Sequence, residues 1–155
     1  MPPPIQLTPR MEQYLEVIAQ LEREREGIRV RDIASRMGVK MPSVTSALNS
    51  LASSDLIQHA RYEHVTLTDE GRAIAQRVQR RHDVLFEFLT EVLDIPSEVA
   101  EKDACDIEHV ISPLTLARFV EFIEFSKTFP CGGEDGLAGF RQYLRDGEQS
   151  RNIQG

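Results

Sequence analysis

Met11, Tyr14, Leu15, Ile18 and Leu21 recur at the steps of one helix face, and Thr8 followed by Pro9 supplies an N-cap with proline at the first helical position. That pattern predicts a helix to about Glu24. A second, shorter amphipathic stretch runs from Val30 to Met37, with Ile33, Ala34 and Met37 apolar and Gly38 as its stop. A third begins near Pro42 and turns Val44, Ala47, Leu48 and Leu51 inward, leaving Ser43, Thr45, Ser46 and Asn49 elsewhere on its surface. Two short helices flanking a glycine turn read as a helix-turn-helix.

Leu56 to Ala60 and Val65 to Leu67 read as brief strands around a charged tip that includes Arg61, which makes a winged hairpin. Thr68, Asp69 and Glu70 then cap a long helix, in which Ile74, Val78, His82, Leu85, Phe86 and Leu89 keep helical spacing to about Val92. Pro96 and Ser97 open another helix through about Ile111, and Ser112-Pro113 starts a further one through about Ser126. The chain from Phe129 is glycine-rich, then helical in pattern to Leu144. The fold class is therefore mainly α, in two domains at residues 1–72 and 73–145, with residues 146–155 expected to be a disordered tail.

Composition bounds the function. The 155 residues carry a formal net charge of −7, which argues against nucleic acid until its distribution is considered. Residues 1–90 hold twelve Lys/Arg and twelve Asp/Glu, whereas residues 91–155 hold six against thirteen. A neutral N-terminal module can present a basic face, and an acidic C-terminal module suits cations. No apolar run is long enough for a membrane span, and the N-terminal MPPPIQLTPR lacks the apolar run of a signal peptide, so a cytoplasmic protein without membrane association is expected. Cys105 and Cys131 are too few for a disulfide scaffold, and Cys131 lies in a Pro-Cys-Gly-Gly turn outside any candidate site.

Two constellations carry candidate chemistry. In the first, the helix starting near Pro42 enters the major groove of double-stranded DNA, with Lys40, Pro42, Ser43, Thr45 and Ser46 near bases or phosphates. Arg29, Arg31 and Arg61 would add phosphate or minor-groove contacts, although solvated arginines fit the same pattern. In the second, Glu101, Cys105, Glu108 and His109 fall on one face of a single predicted helix. A thiolate, carboxylates and an imidazole within two turns suit Fe(II), Co(II), Ni(II) or Zn(II), whereas a half-buried thiol, a hydrogen-bonded histidine and a solvated glutamate are the alternative. His82, Gln13 and Glu16 are further candidate ligands from other helices. The helix after Ser112, with Leu114, Leu116, Phe119, Val120, Phe122, Ile123 and Phe125, is apolar around most of its circumference, which a symmetric homodimer would cover, or else the tail beyond Phe129.

The order of elements, with the strings Met11-Glu12-Gln13-Tyr14-Leu15-Glu16, Met41-Pro42-Ser43-Val44-Thr45, Leu67-Thr68-Asp69-Glu70-Gly71, Arg81-His82 and Cys105-Asp106-Ile107-Glu108-His109, resembles the diphtheria toxin repressor and manganese transport regulator family over residues 8 to 126. The resemblance implies a winged-helix domain, a helical dimerisation and metal-binding domain, and repression of metal-uptake genes. Cys105, Glu108 and His109 match the family's metal-binding string in the form of its iron-responsive branch, whose manganese counterpart has glutamate at the place of Cys105. His82 matches a histidine of both branches, and Glu16 matches a carboxylate of the manganese branch. Gln13 stands where the iron branch has methionine and the manganese branch aspartate. Phe86 stands where relatives carry a carboxylate, and Glu101 replaces a histidine of the iron branch. The resemblance further implies a metal held between the first helix and the C-terminal helices, which would tie the two domains into a DNA-competent arrangement.

The sequence expectation is thus a repressor of iron homeostasis, switched on by Fe(II) to bind a palindromic operator as a dimer, with no enzymatic activity and no organic cofactor. Mn(II), Co(II), Ni(II) and Zn(II) are the other possible ions, and a manganese-responsive regulator of manganese transport is the first alternative. A metal-independent winged-helix regulator and a metalloenzyme are the readings from other classes.

Overall fold

The structure, a computed structural model, describes residues 7–59, 64–128, 139, 142–143 and 145–147. It divides into two compact units, residues 1–81 and 82–155. The division falls inside the long helix Asp69–Glu87, beyond the boundary at 72/73 expected from the sequence.

In the first unit, α1 (Pro9–Glu24) opens with Thr8 Oγ1 accepting the Met11 N–H at 3.3 Å and Pro9 in the first turn, so one of the unpaired N–H groups of the helix start is satisfied. α2 (Val30–Met37) ends on Gly38 at φ 65°, a left-handed conformation that lets the Val39 N–H return to the Ala34 carbonyl at 3.1 Å. α3 (Met41–Ser53) follows at once and buries Val44, Ala47, Leu48 and Leu51, while Pro42, Ser43, Thr45 and Ser46 are exposed. These helices share one core with Tyr14, Leu15, Ile18, Ile28, Ile33 and Leu56.

The wing is a short antiparallel pair, β1 (Ile57–Gln58) and β2 (Thr66–Leu67), with Ile57 opposite Leu67 and Gln58 opposite Thr66. Its tip, with the expected DNA contact Arg61, lies outside the described residues. The Val65 N–H reaches the Ile28 carbonyl at 2.9 Å, which joins the base of the wing to the loop before α2. Thr68 caps α4 (Asp69–Glu87): its hydroxyl donates to the Asp55 carbonyl at 2.8 Å and accepts the Gly71 N–H at 3.1 Å. Gly71 sits so close to the Leu56 carbonyl that a Cβ there would lie 1.9 Å from its oxygen. Glu22 of α1 accepts the Leu67 N–H at 2.9 Å and the Arg72 guanidinium at 2.6 Å, pinning strand and helix together.

The second unit begins with His82 within α4. The helical pattern that predicted an uninterrupted helix to Val92 gives way to a π-helical turn at Phe88–Val92, closed by the Leu93 N–H on the Phe88 carbonyl at 3.2 Å. Phe88 stacks on Phe119 with centroids 4.3 Å apart and meets Phe122 edge-on at 5.9 Å. Asp94, at φ 54°, reverses the chain into α5 (Ser97–Ile107). α6 (Pro113–Thr128) starts on Ser112, whose Oγ accepts the Thr115 N–H at 3.2 Å. Part of the apolar surface of α6 is satisfied within the unit: Ile123 and Phe125 are buried, and the Tyr143 ring lies 5.8 Å from that of Phe125. Leu114 stays 67% exposed, as does Val110 just before it at 72%. Cys131 and most of the tail lie outside the described residues. Among the described residues, no helix is long and apolar enough to cross a membrane.

Candidate metal centre

α5 ends at Ile107, so Glu101 and Cys105 stand one turn apart on the helix while Glu108 and His109 lie in the turn beyond it. This shortens the helix expected to run to about Ile111, although Glu101, Cys105 and Glu108 still converge on His82. With no strong breaker before Pro113, the sequence pattern runs past the true end. The helix end matters because Cys105 is exposed whereas Glu108, the first residue beyond α5, is 0% exposed.

His82 supplies the centre of the cluster from α4 and is itself buried. Its Nδ1 lies 2.9 Å from Glu108 Oε2 and 3.7 Å from Cys105 Sγ, while its Nε2 lies 3.2 Å from Glu101 Oε2. Glu108 Oε1 is 3.1 Å from His109 Nε2, but in an orientation that makes no hydrogen bond, and that oxygen is buried without one. His82, Cys105 and Glu108 each place a ligand atom within 4.8 Å of the others. Asp106, inside the same string, turns away to Lys102 at 2.9 Å, and that hydrogen bond holds the Lys102 ammonium above its usual range.

A fully buried carboxylate is costly unless it is paired and hydrogen-bonded. Among the described residues Glu108 faces the imidazoles of His82 and His109, and one of its oxygens lacks a hydrogen bond. A divalent cation meets that need, and a donor set of carboxylate oxygen, imidazole nitrogen and thiolate sulfur fits a first-row transition ion. The position one turn after His82 is taken by Phe86, whose ring stacks on the imidazole with centroids 6.4 Å apart and planes 12° from parallel. A phenyl ring supplies no ligand.

Gln13 and Glu16 belong to α1 of the first unit. Gln13 accepts a hydrogen bond from Arg10 at 3.0 Å, and Glu16 is 8% exposed. Both are candidates on sequence grounds. The same unit contains ion pairs that local sequence patterns do not reveal, because they join residues far apart in the chain: Arg81 with Glu12 at 2.6 Å and Arg72 with Glu22 at 2.6 Å.

The candidate DNA-contacting residues form a second group. Arg29 and Lys40 cap α2 and α3, Arg31 is exposed in the first turn of α2, and Pro42, Ser43, Thr45 and Ser46 are exposed on α3. Thr45 Oγ1 bonds back to the Met41 carbonyl at 3.1 Å. Arg25, Arg36, Arg72 and Arg81 are committed to carboxylates. Among the described residues Arg29, Arg31 and Lys40 take no such partner.

Comparison with known proteins agrees with this division of labour. Residues 6–65 match the N-terminal DNA binding domain of iron dependent repressors, and residues 68–135 match their metal binding and dimerisation domain. The transcriptional regulator MntR of Escherichia coli is 38% identical over 114 residues, covering 74% of this chain and 73% of that protein. The HTH-type transcriptional regulator MntR of Shouchella clausii is 35% identical over 118 residues, covering 76% and 82%. The solved structure of the manganese regulator SloR superposes with a TM-score of 0.65 at 28% identity, over 76% of this chain and 55% of that one, so the chain spans about half the length of that structure. These relatives are regulators of transcription and not enzymes. On the strength of both domain matches and the MntR relatives, the chain belongs to the iron-dependent repressor family, that of the diphtheria toxin repressor and MntR, and is a metal-dependent transcriptional repressor with a DNA-binding domain followed by a metal-binding and dimerisation domain.

Proposed function

We propose that this protein is a manganese-responsive repressor that binds a palindromic operator as a homodimer and controls manganese uptake. The observation that carries the metal dependence is the buried Glu108 carboxylate between His82 and His109. Relatives named MntR and a neighbour described as a manganese regulator favour Mn(II), and on that ground the preference for Fe(II) drawn from Cys105 becomes the second reading. Cys105 is the specific observation that keeps it, since sulfur is a softer ligand than Mn(II) ordinarily takes.

In this reading His82, Cys105, Glu108 and His109 hold the ion. When bound, it supplies positive charge to a buried, otherwise undercompensated carboxylate and ties together residues from α4, α5 and the turn after α5. Glu108 contributes the charge, His82 and His109 contribute neutral nitrogens, and Cys105 contributes as thiolate. α3 serves as the recognition helix, with Pro42, Ser43, Thr45 and Ser46 toward the base edges and Arg29, Arg31 and Lys40 toward phosphates. Arg61 of the wing is carried as a further contact. Two such helices in a symmetric dimer, about one turn of DNA (roughly 34 Å) apart, would match the half-sites of a palindrome. Leu114 in the first turn of α6 and Val110 before that helix, both exposed, suit the dimer contact.

The test is anaerobic titration with Mn(II) and Fe(II), read by fluorescence anisotropy of promoter fragments at fixed salt. Mn(II) giving sequence-specific binding at lower free concentration supports the proposal, and Fe(II) doing so would return the assignment to iron. Replacing the sulfur ligand should sharpen the ranking. Cys105→Glu is expected to move relative activation toward Mn(II) by about 10-fold, which is roughly 1.4 kcal/mol; an unchanged ratio would show that the thiol does not set the preference.

A further inference from the structure

The sequence groups Glu101 with the ligands, yet its carboxylate meets a different edge of His82 from the one that faces the cluster. The two ring nitrogens of an imidazole point away from each other. Nδ1 faces Glu108 Oε2 at 2.9 Å and Cys105 Sγ at 3.7 Å, whereas Nε2 faces Glu101 Oε2 at 3.2 Å. Glu101 and Cys105 are one turn apart on α5, so the helix straddles the ring and sets a carboxylate at one nitrogen and a thiol at the other. The environments differ as well. The Glu108 side chain is 1% exposed and that of Glu101 is 60% exposed.

A neutral imidazole has one donor nitrogen and one acceptor nitrogen, and a nitrogen that binds a cation must be the acceptor. Were the proton on Nδ1, it would be donated to Glu108, and the lone pair needed at the cluster would be missing. A carboxylate hydrogen-bonded to Nε2 favours the other tautomer. We propose that Glu101 is a positioning residue: its carboxylate accepts the Nε2–H of His82 and thereby frees the Nδ1 lone pair for a cation held with Glu108 and Cys105, which displaces the proton shared between Nδ1 and Glu108 in the metal-free cluster. Glu101 acts from outside the ligand set, as carboxylates behind metal-binding histidines do.

This inference rests on the proposed metal-responsive reading, and the experiment separates the two. Wild type, Glu101→Ala, Glu101→Gln and Glu108→Gln are titrated anaerobically with Mn(II) and Co(II), with the Co(II) absorption spectrum recorded at saturation. Long-range nitrogen-15 spectra report the His82 tautomer in the metal-free protein and with Zn(II). Glu101 is exposed, and thermal melts check that each variant is folded. Glu101→Ala is expected to weaken affinity about 10- to 100-fold, to leave the saturated Co(II) spectrum unchanged and to move the metal-free His82 proton toward Nδ1. Glu101→Gln, whose amide oxygen also accepts a hydrogen bond, is expected to restore most of the affinity. Wild-type affinity in Glu101→Ala, an unmoved tautomer, or a Co(II) spectrum showing a lost ligand would each overturn the positioning role. Glu108-independent metal binding, or none in wild type, would instead overturn the metal-responsive reading and this inference with it.

Discussion

Several carboxylates of the first unit are held by arginine, whereas the most buried carboxylate of the second faces imidazole. In the first, Glu12, Glu22, Glu24 and Asp32 each meet an arginine, and the apolar residues beneath them form one continuous core. In the second, Glu101 and Glu108 meet the imidazole of His82, and the most deeply buried of the acidic groups has an oxygen without a hydrogen bond. Arginine keeps its charge at any accessible pH, so the first unit is neutralised by its own side chains. Imidazole, unlike guanidinium, carries no obligatory charge, so the buried Glu108 carboxylate of the second unit lacks the fixed cationic partner that the acids of the first unit have, and an external cation can supply it. A domain that reads DNA needs a fixed shape, and one that senses an ion needs a site that is incomplete alone.

Glu108→Gln should break this contrast most strongly. The amide keeps the shape and removes the charge, so metal affinity should fall by more than about 100-fold, beyond the range of a change outside the ligand set. Metal-free stability should hold or rise, since the cost of the buried charge is gone. Calorimetric titration and urea unfolding check both, and a variant that retains affinity would remove Glu108 from the site.

Rigidity of the first unit is tested by Gly71→Ala. The added Cβ meets the Leu56 carbonyl oxygen, part of the backbone, which cannot rotate aside as a side chain would. A loss of about 3 kcal/mol in urea unfolding is expected; a neutral result would mean that the wing and α4 can separate freely. Next in size is Glu22→Ala, which strips the partner from the Leu67 N–H and from Arg72 and should destabilise by about 1–3 kcal/mol. Set beside Glu108→Gln, it asks whether losing a carboxylate harms the first unit and spares the second.

Much of the first unit was legible in the sequence because its signals are local. Thr8-Pro9, Gly38 and Thr68 are caps and stops, and the helices between them begin and end where those residues direct. The second unit was legible only in outline. Its π-helical turn at Phe88–Val92 is filled by residues that continue the apolar spacing of α4, so no residue announces the change of register. The end of α5 at Ile107 lacks a breaker, which hid the burial of Glu108. Residue types named Glu101, Cys105, Glu108, His109 and His82 as a group, but which nitrogen of His82 each one faces depends on the approach of α4 to α5.

The smallest expected effect lies at the surface, where Arg36 grips Glu24 with hydrogen bonds of 3.0 and 2.5 Å. That hydrogen bond, the largest influence on it, holds the Glu24 carboxyl below the usual glutamate range. A lowered folded value means that the stabilisation is present above the unfolded glutamate pKa and is lost as pH falls through the folded one. Glu24→Gln should therefore be slightly less stable than wild type near neutral pH and equal to it in acid, with the difference shrinking in salt. A gap in unfolding midpoint that persists at low pH would assign the effect to packing instead.

The most direct measurement is operator binding by wild type and Glu108→Gln, read by fluorescence anisotropy under anaerobic conditions at fixed salt, first with Mn(II) and then with excess chelator. Wild type should bind the operator tightly with Mn(II) and release it on chelation, and Glu108→Gln should remain weak in both conditions. Tight operator binding by both proteins that ignores Mn(II) and chelator alike would contradict the metal switch and leave a winged-helix regulator governed by something else.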